Sequence, residues 1–294
     1  MAKVRQAIIS DAGVSSRFLP IVKTIPKGMI PIGNKPAMQL QVEECMEAGV
    51  EKIIIVCRRD TIDIYNDYFF NHREDLEEFL TGMGKADRFR PVSKLFELPH
   101  IEFVLQTENL PYGTAAPLIS SKDSLIQGEP FFFLQGDDLV LAEKKDCEIL
   151  NQEYEKDAHY AAYMMVQDVD MDKATPGGMV KFKDGTNDEL DFIVEKPKKE
   201  DAPSNYLSYG RFLYTWDIWD YMDPKNTGLD GEFWNVDALT ALAKDKPVKV
   251  VVNQGNWVTN GDPKQWLKAQ LLFGIHENSG YSQEIKDYMK ELLA

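Results

Sequence analysis

The apolar and polar positions divide the chain into short buried runs that alternate with amphipathic segments. Ala7-Ile8-Ile9 leads an apolar run that breaks at Ser10-Asp11 into small residues, which reads as a buried strand entering a tight loop. The segment 36–48 opens on a proline suited to a first helical position and carries Met38, Leu40, Val42 and Cys45, which predicts a helix. Lys52–Cys57 (KIIIVC) reads as a strand, and 101–106 and 130–134 read the same way. Between them, 61–70 and 73–80 read as helices, the second with a solvated face of Arg73-Glu74-Asp75 and Glu77-Glu78. The small residues of Pro111-Tyr112-Gly113-Thr114-Ala115-Ala116 are expected to open a further helix.

From about Tyr160 the pattern changes. Strands are expected at 160–166, 179–182, 190–194 and Tyr206–Tyr214, with a turn at Lys183-Asp184-Gly185-Thr186-Asn187, and this spacing favours antiparallel pairing. The segments 232–244 and 264–273 read as helices, and 283–293 as a terminal helix. The expected fold class is α/β: a Rossmann-like mixed, mainly parallel sheet flanked by helices, with a more antiparallel lobe in the second half and ligands at the carboxyl ends of the strands. No repeat, low-complexity tract or linker divides the sequence, so 1–294 is expected to be one domain, with halves at about 1–158 and 159–276 and a terminal helix at 277–294.

Composition narrows the function. Hydrophobic residues make up 44% of the chain, ample for a core, and Lys and Arg (33) are outnumbered by Asp and Glu (48), for a net charge of −15. Such a chain is a poor binder of nucleic acid or anionic membranes, and any phosphate ligand needs local cations and a metal ion to reverse the field. Cys45, Cys57 and Cys147 are widely spaced and form no C-x-x-C pair, which suggests reduced thiols and no zinc site. Lys3 and Arg5 precede an apolar stretch too short for a signal peptide, and no window approaches the ~18 apolar residues of a membrane span. A cytoplasmic location is the expectation. His72, His100, His159 and His276 show neither metal spacing nor a nucleophile motif.

Four stretches carry candidate chemistry, each with an ordinary structural alternative. The loop Asp11-Ala12-Gly13-Val14-Ser15-Ser16-Arg17, followed by Lys23 and Lys27, offers small residues, a possible nest of backbone N–H groups and positive charge, which suits a triphosphate. It is equally read as a strand-to-turn junction with surface cations, since the chain has neither a P-loop nor a G-x-G-x-x-G pattern. The strand Phe131-Phe132-Phe133-Leu134 ends in Gln135-Gly136-Asp137-Asp138, where hard carboxylate oxygens suit Mg²⁺ and where an acidic turn is also normal. Gln106 with 111–115 is either a base-binding edge or a plain helix cap. Pro176-Gly177-Gly178 and Glu195-Lys196-Pro197 are strand edges in which a carboxylate could accept from hydroxyls and a lysine could hold a phosphate.

Together these stretches resemble the sugar-1-phosphate nucleotidyltransferases, whose signature is G-x-G-T-R followed by P-x-x-K-x-x-P-K-x-M-x-P. Gly13, Arg17, Pro20, Lys23, Pro26, Lys27, Met29, Pro31, Lys35 and Pro36 fall in register. Ser15 replaces the second glycine, Ser16 the threonine, and Gly28 the glutamate that usually follows the second lysine. The resemblance extends from Val4 to about His276, with Gly210-Arg211 and 231–239 as framework. It implies that Arg17 and Lys27 are catalytic, that Ala12, Gly13, Gln106, Gly113 and Thr114 hold a nucleotide, and that Asp137 binds Mg²⁺ while Asp138 orients or caps. It assigns Gly178, Glu195 and Lys196 to the sugar and its phosphate.

The implied substrates are UTP and glucose 1-phosphate; a homo-oligomer is expected, with the terminal helix as the place to look for subunit contacts, and no nucleic-acid or membrane partner. In the segment Trp257-Val258-Thr259-Asn260-Gly261-Asp262, matched to W-x-D-x-G, the second metal-facing carboxylate is Thr259, with Asp262 as a candidate substitute. These departures leave two alternatives open: another nucleotide and sugar pair, or a non-catalytic regulatory paralogue.

Overall fold

The computed structural model describes residues 3–171, 177–228, 231–276 and 280–293. The chain enters through β1 (Gln6–Asp11) and three 3-10 turns at Ser16–Phe18, Ile21–Lys23 and Lys27–Met29. There follow the short ladder of β2 (Pro31–Ile32) and β3 (Lys35–Pro36), then α1 (Ala37–Glu47), β4 (Lys52–Cys57), α2 (Ile62–Phe70), α3 (Glu74–Gly82) and α4 (Arg90–Ser93). Next come β5 (His100–Leu105), α5 (Ala116–Ser121), β6 (Phe131–Gln135), β7 (Asp138–Leu141) and α6 (Asp146–Lys156). The second half holds β8 (Ala162–Asp168), β9 (Gly178–Phe182), β10 (Leu190–Glu195), β11 (Tyr206–Tyr214) and α7 (Asn235–Asp245). It closes with β12 (Val248–Val252), β13 (Asn256–Thr259), α8 (Pro263–Ile275) and α9 (Ser282–Leu293).

Among the described residues nine strands form one mixed sheet in the order β10-β9-β11-β6-β1-β4-β5, with β8 beside β11 and β12 beside β8. The central run β6-β1-β4-β5 is parallel, as is the β12–β8 pair. The remaining pairs, β11 with β6, β8 and β9, and β9 with β10, are antiparallel. The expected α/β fold, with its antiparallel extension in the second half, is the observed one.

The central strands are continuous apolar runs because helices cover both of their faces. Alternation still sorts the side chains: Ile8, Phe131 and Phe133 pack with Phe212, Leu239 and Leu242 on one side. Ala7, Ile9, Phe132 and Leu134 pack with Met38, Val42 and Leu150 on the other. The parallel strands β1, β4, β5 and β6 therefore all end at one edge, at Asp11, Cys57, Leu105 and Gln135.

Several boundaries differ from expectation for identifiable reasons. The stretch 111–115 is loop, and the helix begins only at Ala116. Its backbone is committed elsewhere: Phe233 N donates to Tyr112 O at 2.7 Å and Ala115 N donates to Phe233 O at 3.0 Å. The same exchange keeps Phe233 out of α7, which starts at Asn235 instead of 232. Asp138 is not the end of a turn but the first residue of β7, paired antiparallel with β13. The strands β7, β12 and β13 and helix α6 are additional to the expected elements; Val248 and Val250 of β12 are buried at strand spacing and Cys147, Leu150 and Tyr154 of α6 at helical spacing. Among the described residues no helix is long and apolar enough to cross a membrane.

Candidate active site

A cleft of about 370 Å³ opens at the carboxyl edge of the parallel strands. Ala12, Gly13, Arg17, Lys27, Gln106, Gly113, Thr114, Asp137, Gly178, Glu195 and Lys196 all line it. The chain thus brings to one place every residue that the resemblance assigns to catalysis, nucleotide, metal or sugar phosphate. Lys23 is a correction: it is exposed on the turn Ile21–Lys23 and lies outside the lining. Pro176, quoted with Gly177 and Gly178, lies outside the described residues.

The first wall is the loop after β1. Arg58, just past β4, donates from Nη1 to the Gly13 carbonyl at 2.8 Å and pairs with Asp60 at 2.9 Å, so the loop is pinned to the neighbouring strand. Ser15 has φ 54°, a left-handed conformation in the place where the motif carries a second glycine. The loop keeps the glycine conformation without the glycine.

At the floor, Lys27 Nζ lies 2.7 Å from Asp137 Oδ2. Burial alone lowers the Lys27 ammonium, but the charges of Asp137 and Asp11 outweigh it and hold the group above the usual lysine range. Burial alone raises Asp137, and Lys27, with a contribution from Arg17, brings its carboxyl below the usual value. Asn260, which sequence reasoning left without a role, joins the two backbones. Its N–H donates to Asp137 O at 2.9 Å and its Nδ2 to Lys27 O at 3.3 Å.

Asp138 faces away from this pair. Its Oδ2 accepts from Gly210 N at 2.8 Å and its Oδ1 from Trp257 Nε1 at 2.9 Å. Burial and the charge of Asp137 push its carboxyl up to about 6. Both oxygens are committed to protein donors, so Asp138 orients the turn. Behind it the fully buried Arg211 forms a two-pronged pair with Glu44 at 3.1 and 3.0 Å and donates to Asp138 O at 2.7 Å. A charge pair of this kind holds geometry where a single neutral bond would be weaker.

The opposite wall belongs to the second half of the sheet. Gly178 and Glu195 are register partners across β9 and β10, which is how two motifs far apart in sequence meet. Burial raises the Glu195 carboxyl, with Lys196 opposing. Lys196 adopts φ 46°, its N–H donates to Gly177 O at 3.0 Å, and its Nζ sits 5.6 Å from the centre of the Trp234 ring. A left-handed lysine is strained backbone held by its surroundings, a feature concentrated at functional sites. Trp234 is itself fixed by a 2.6 Å bond from Nε1 to Glu232 Oε2.

The third wall is the 111–115 loop. Gly113 has φ 147°, and a Cβ there would strike Phe233 O, so the position admits glycine alone. The Thr114 hydroxyl donates to Asn235 Oδ1 at 2.6 Å and accepts from Asn235 N at 3.1 Å. It lines the cleft while tying this loop to the start of α7.

Thr259 pairs with Asp138 in the β13–β7 register, which sets it beside the acidic turn. A Cβ at Gly261 would stand 3.2 Å from both Asp137 Oδ2 and Thr259 Oγ1, so those two oxygens face a common space. Asp262 caps α8 by accepting from Gln265 N at 3.0 Å, and this carboxylate has a structural task. Among the described residues no group of three or more His, Cys, Asp or Glu forms a metal cluster. The donor set, one carboxylate with a hydroxyl nearby, fits an ion that takes most of its oxygens from substrate phosphates and water, the habit of Mg²⁺.

The sequence matches the family model described as nucleotidyl transferase over residues 6–273. Among curated proteins, a UTP–glucose-1-phosphate uridylyltransferase of Staphylococcus epidermidis is 34% identical over 294 residues, covering 99% of each chain. UTP–glucose-1-phosphate uridylyltransferase 2 of Staphylococcus saprophyticus is 35% identical over the same coverage. Among solved structures, the UDP-glucose pyrophosphorylase of Acinetobacter baumannii superposes with a TM-score of 0.85 at 28% identity, over 98% of this chain and 99% of that one. Full-length similarity in sequence and fold, with the signature residues gathered in one cleft, means that the chain belongs to the nucleotidyl transferase family.

Proposed function

We propose that the protein is a Mg²⁺-dependent UTP–glucose-1-phosphate uridylyltransferase, which forms UDP-glucose and pyrophosphate. The observation that carries this reading is that the Lys27–Asp137 pair and Glu195-Lys196 line the same cleft, one set on each half of the sheet. Further support comes from solved relatives at 28% identity described as UTP-bound and as complexed with UDP-glucose.

A phosphate oxygen of the sugar 1-phosphate forms a new bond to the α-phosphorus of UTP, and the bond from that phosphorus to the β-phosphate bridge breaks. The sugar phosphate is already largely ionised at neutral pH, so no side-chain base is required. Catalysis is then alignment and charge stabilisation. Arg17 and Lys27 stabilise the triphosphate and the departing pyrophosphate. Ala12, Gly13, Gln106, Gly113 and Thr114 hold the nucleotide by close backbone approach. Glu195 accepts from sugar hydroxyls, Gly178 leaves room for the ring, and Lys196 holds the sugar phosphate. Asp137 would hold the metal, which when bound neutralises phosphate charge.

The same reading takes the protein as a homo-oligomer, supported by the exposed Tyr288, Leu292 and Leu293 of α9. The test of substrate choice is initial-rate measurement over a panel of nucleoside triphosphates and sugar 1-phosphates. UTP with glucose 1-phosphate is expected to turn over fastest. Turnover with dTTP or CTP but not UTP would change the substrate assignment and keep the class.

A further inference from the structure

Gly28 stands beside Lys27, and no left-handed φ demands a glycine there. What excludes a side chain is occupied space. A Cβ at Gly28 would lie 2.7 Å from Tyr65 Oη, 2.8 Å from Asp11 Oδ2 and 3.0 Å from Met38 Cε. Asp11 closes β1, is only 5% exposed and lines the cleft. Its Oδ2 accepts from Gly28 N at 2.9 Å and from the Tyr65 hydroxyl. Tyr65 is wholly buried on α2 and stacks on Phe103 of β5 with ring centres 5.8 Å apart. A carboxylate from the end of β1 therefore fills the volume that a side chain at position 28 would enter, and is itself held by a rigid phenol.

We infer that Asp11 is a positioning residue for Lys27: its carboxylate, braced by Tyr65, clamps the Lys27–Met29 turn through Gly28 N–H and adds the negative charge that position 28 lacks. The clamp joins two neighbouring strands, since Ser10 and Asp11 of β1 pair with Val56 and Cys57 of β4, which leads into the helix carrying Tyr65. Lys27 is thus fixed from two sides, by Asp137 at its ammonium and by Asp11 at its backbone. The glycine in place of the motif's glutamate is then one half of a matched pair and not a lost function. Displacing Lys27 by a fraction of an ångström matters because its charge must meet charge that develops only in the transition state.

This inference rests on the proposed uridylyltransferase reading, and its test separates the two. Wild type, Asp11→Ala, Asp11→Asn, Gly28→Glu and the double variant Asp11→Ala/Gly28→Glu are compared by pyrophosphate release, with thermal unfolding as a check on folding. Asp11→Ala is expected to lower kcat by about 10- to 100-fold with the sugar-phosphate KM changed by less than about 3-fold. Gly28→Glu is expected to be worse alone, because two carboxylates compete for one space. The double variant should recover about 10-fold over Gly28→Glu, because the Asp11 carboxylate no longer contests the space even though the Tyr65 hydroxyl remains.

Wild-type kcat in Asp11→Ala, or a double variant no better than Gly28→Glu, overturns the inference. If Asp11→Ala does not fold, Asp11→Asn carries the test: a fall of about 10-fold in kcat supports the clamp and wild-type kcat overturns it. A silent wild type would sink the uridylyltransferase reading, and the clamp is then read from UTP affinity by calorimetry. There an unchanged affinity in the folded position-11 variant counts against it, and a loss of about 10-fold in UTP affinity supports it.

Discussion

Lys27 Nζ and Asp137 Oδ2 stand 2.7 Å apart, so the cation assigned to the triphosphate and the carboxylate assigned to the metal are held against each other. Each is set by the other's field as much as by its own burial. Substrate phosphates entering the cleft give Lys27 a new partner of opposite charge, and a bound metal ion would give one to Asp137, so the pair can open without leaving either charge uncompensated.

Removing one side of this pair should therefore strike catalysis more than substrate binding. Lys27→Ala and Asp137→Asn are each expected to lower kcat by about 10²–10³, by analogy with loss of an oxyanion donor. Steady-state kinetics with both substrates varied checks this. Wild-type kcat in either variant would remove that residue from the mechanism.

Lys196→Ala should behave differently. In the proposed reading its ammonium contacts a substrate group present before and after the transition state, so KM for the sugar phosphate should rise by about 10- to 100-fold, the range for a hydrogen bond to a charged group. An unchanged KM would mean that Lys196 remains on Trp234 in the complex.

Thr259 shares a space with Asp137, and threonine supplies no negative charge there. Thr259→Asp is expected to lower the Mg²⁺ concentration giving half-maximal rate, since two carboxylates hold the ion better than one. A Mg²⁺ titration of initial rate reads this directly. An equal or higher requirement would show that position 259 does not reach the metal.

Asp146 supplies a pH dependence away from the cleft. Burial and the charge of Glu44 push it up to about 7, against the opposing pull of Arg211, the Tyr209 hydroxyl and Lys145. A carboxyl raised in the folded state binds a proton that the unfolded chain has released, so between about pH 4 and 7 stability falls as pH rises. Above that window the loss is complete. Asp146→Asn should unfold at a higher temperature than wild type at pH 8, with the difference shrinking towards pH 5, as followed by thermal unfolding across pH. A difference independent of pH would contradict the assignment.

Much of this site was legible in the sequence because its residues sit where apolar runs stop. Gly13, Arg17, Lys27 and Asp137 follow the ends of β1 and β6, and a sheet that gathers parallel strand ends must bring them together. Glu195 and Gly178 became neighbours by ladder register, which the strand pattern allowed but did not dictate. The contacts of the supporting residues were not legible, although Gly210-Arg211 was expected as framework. Arg211 and Glu44 are 167 positions apart, and Asn260 reaches Lys27 across 233. Nothing in the local pattern of either segment announces such a contact. Asp11 was visible as a polar end to a strand, but its role depends on Tyr65 and on the absent side chain at Gly28, whose space Asp11 and Tyr65 fill by packing. The helix expected from 111 failed for a similar reason, because its backbone partner is Phe233.

Pyrophosphate release from the purified protein with UTP, glucose 1-phosphate and Mg²⁺, with and without EDTA, tests the assigned reaction itself. Steady release that needs both substrates and stops with EDTA is expected. No release with any nucleotide and sugar 1-phosphate, in a folded protein that still binds UDP-glucose, would contradict it and identify a non-catalytic member of the family.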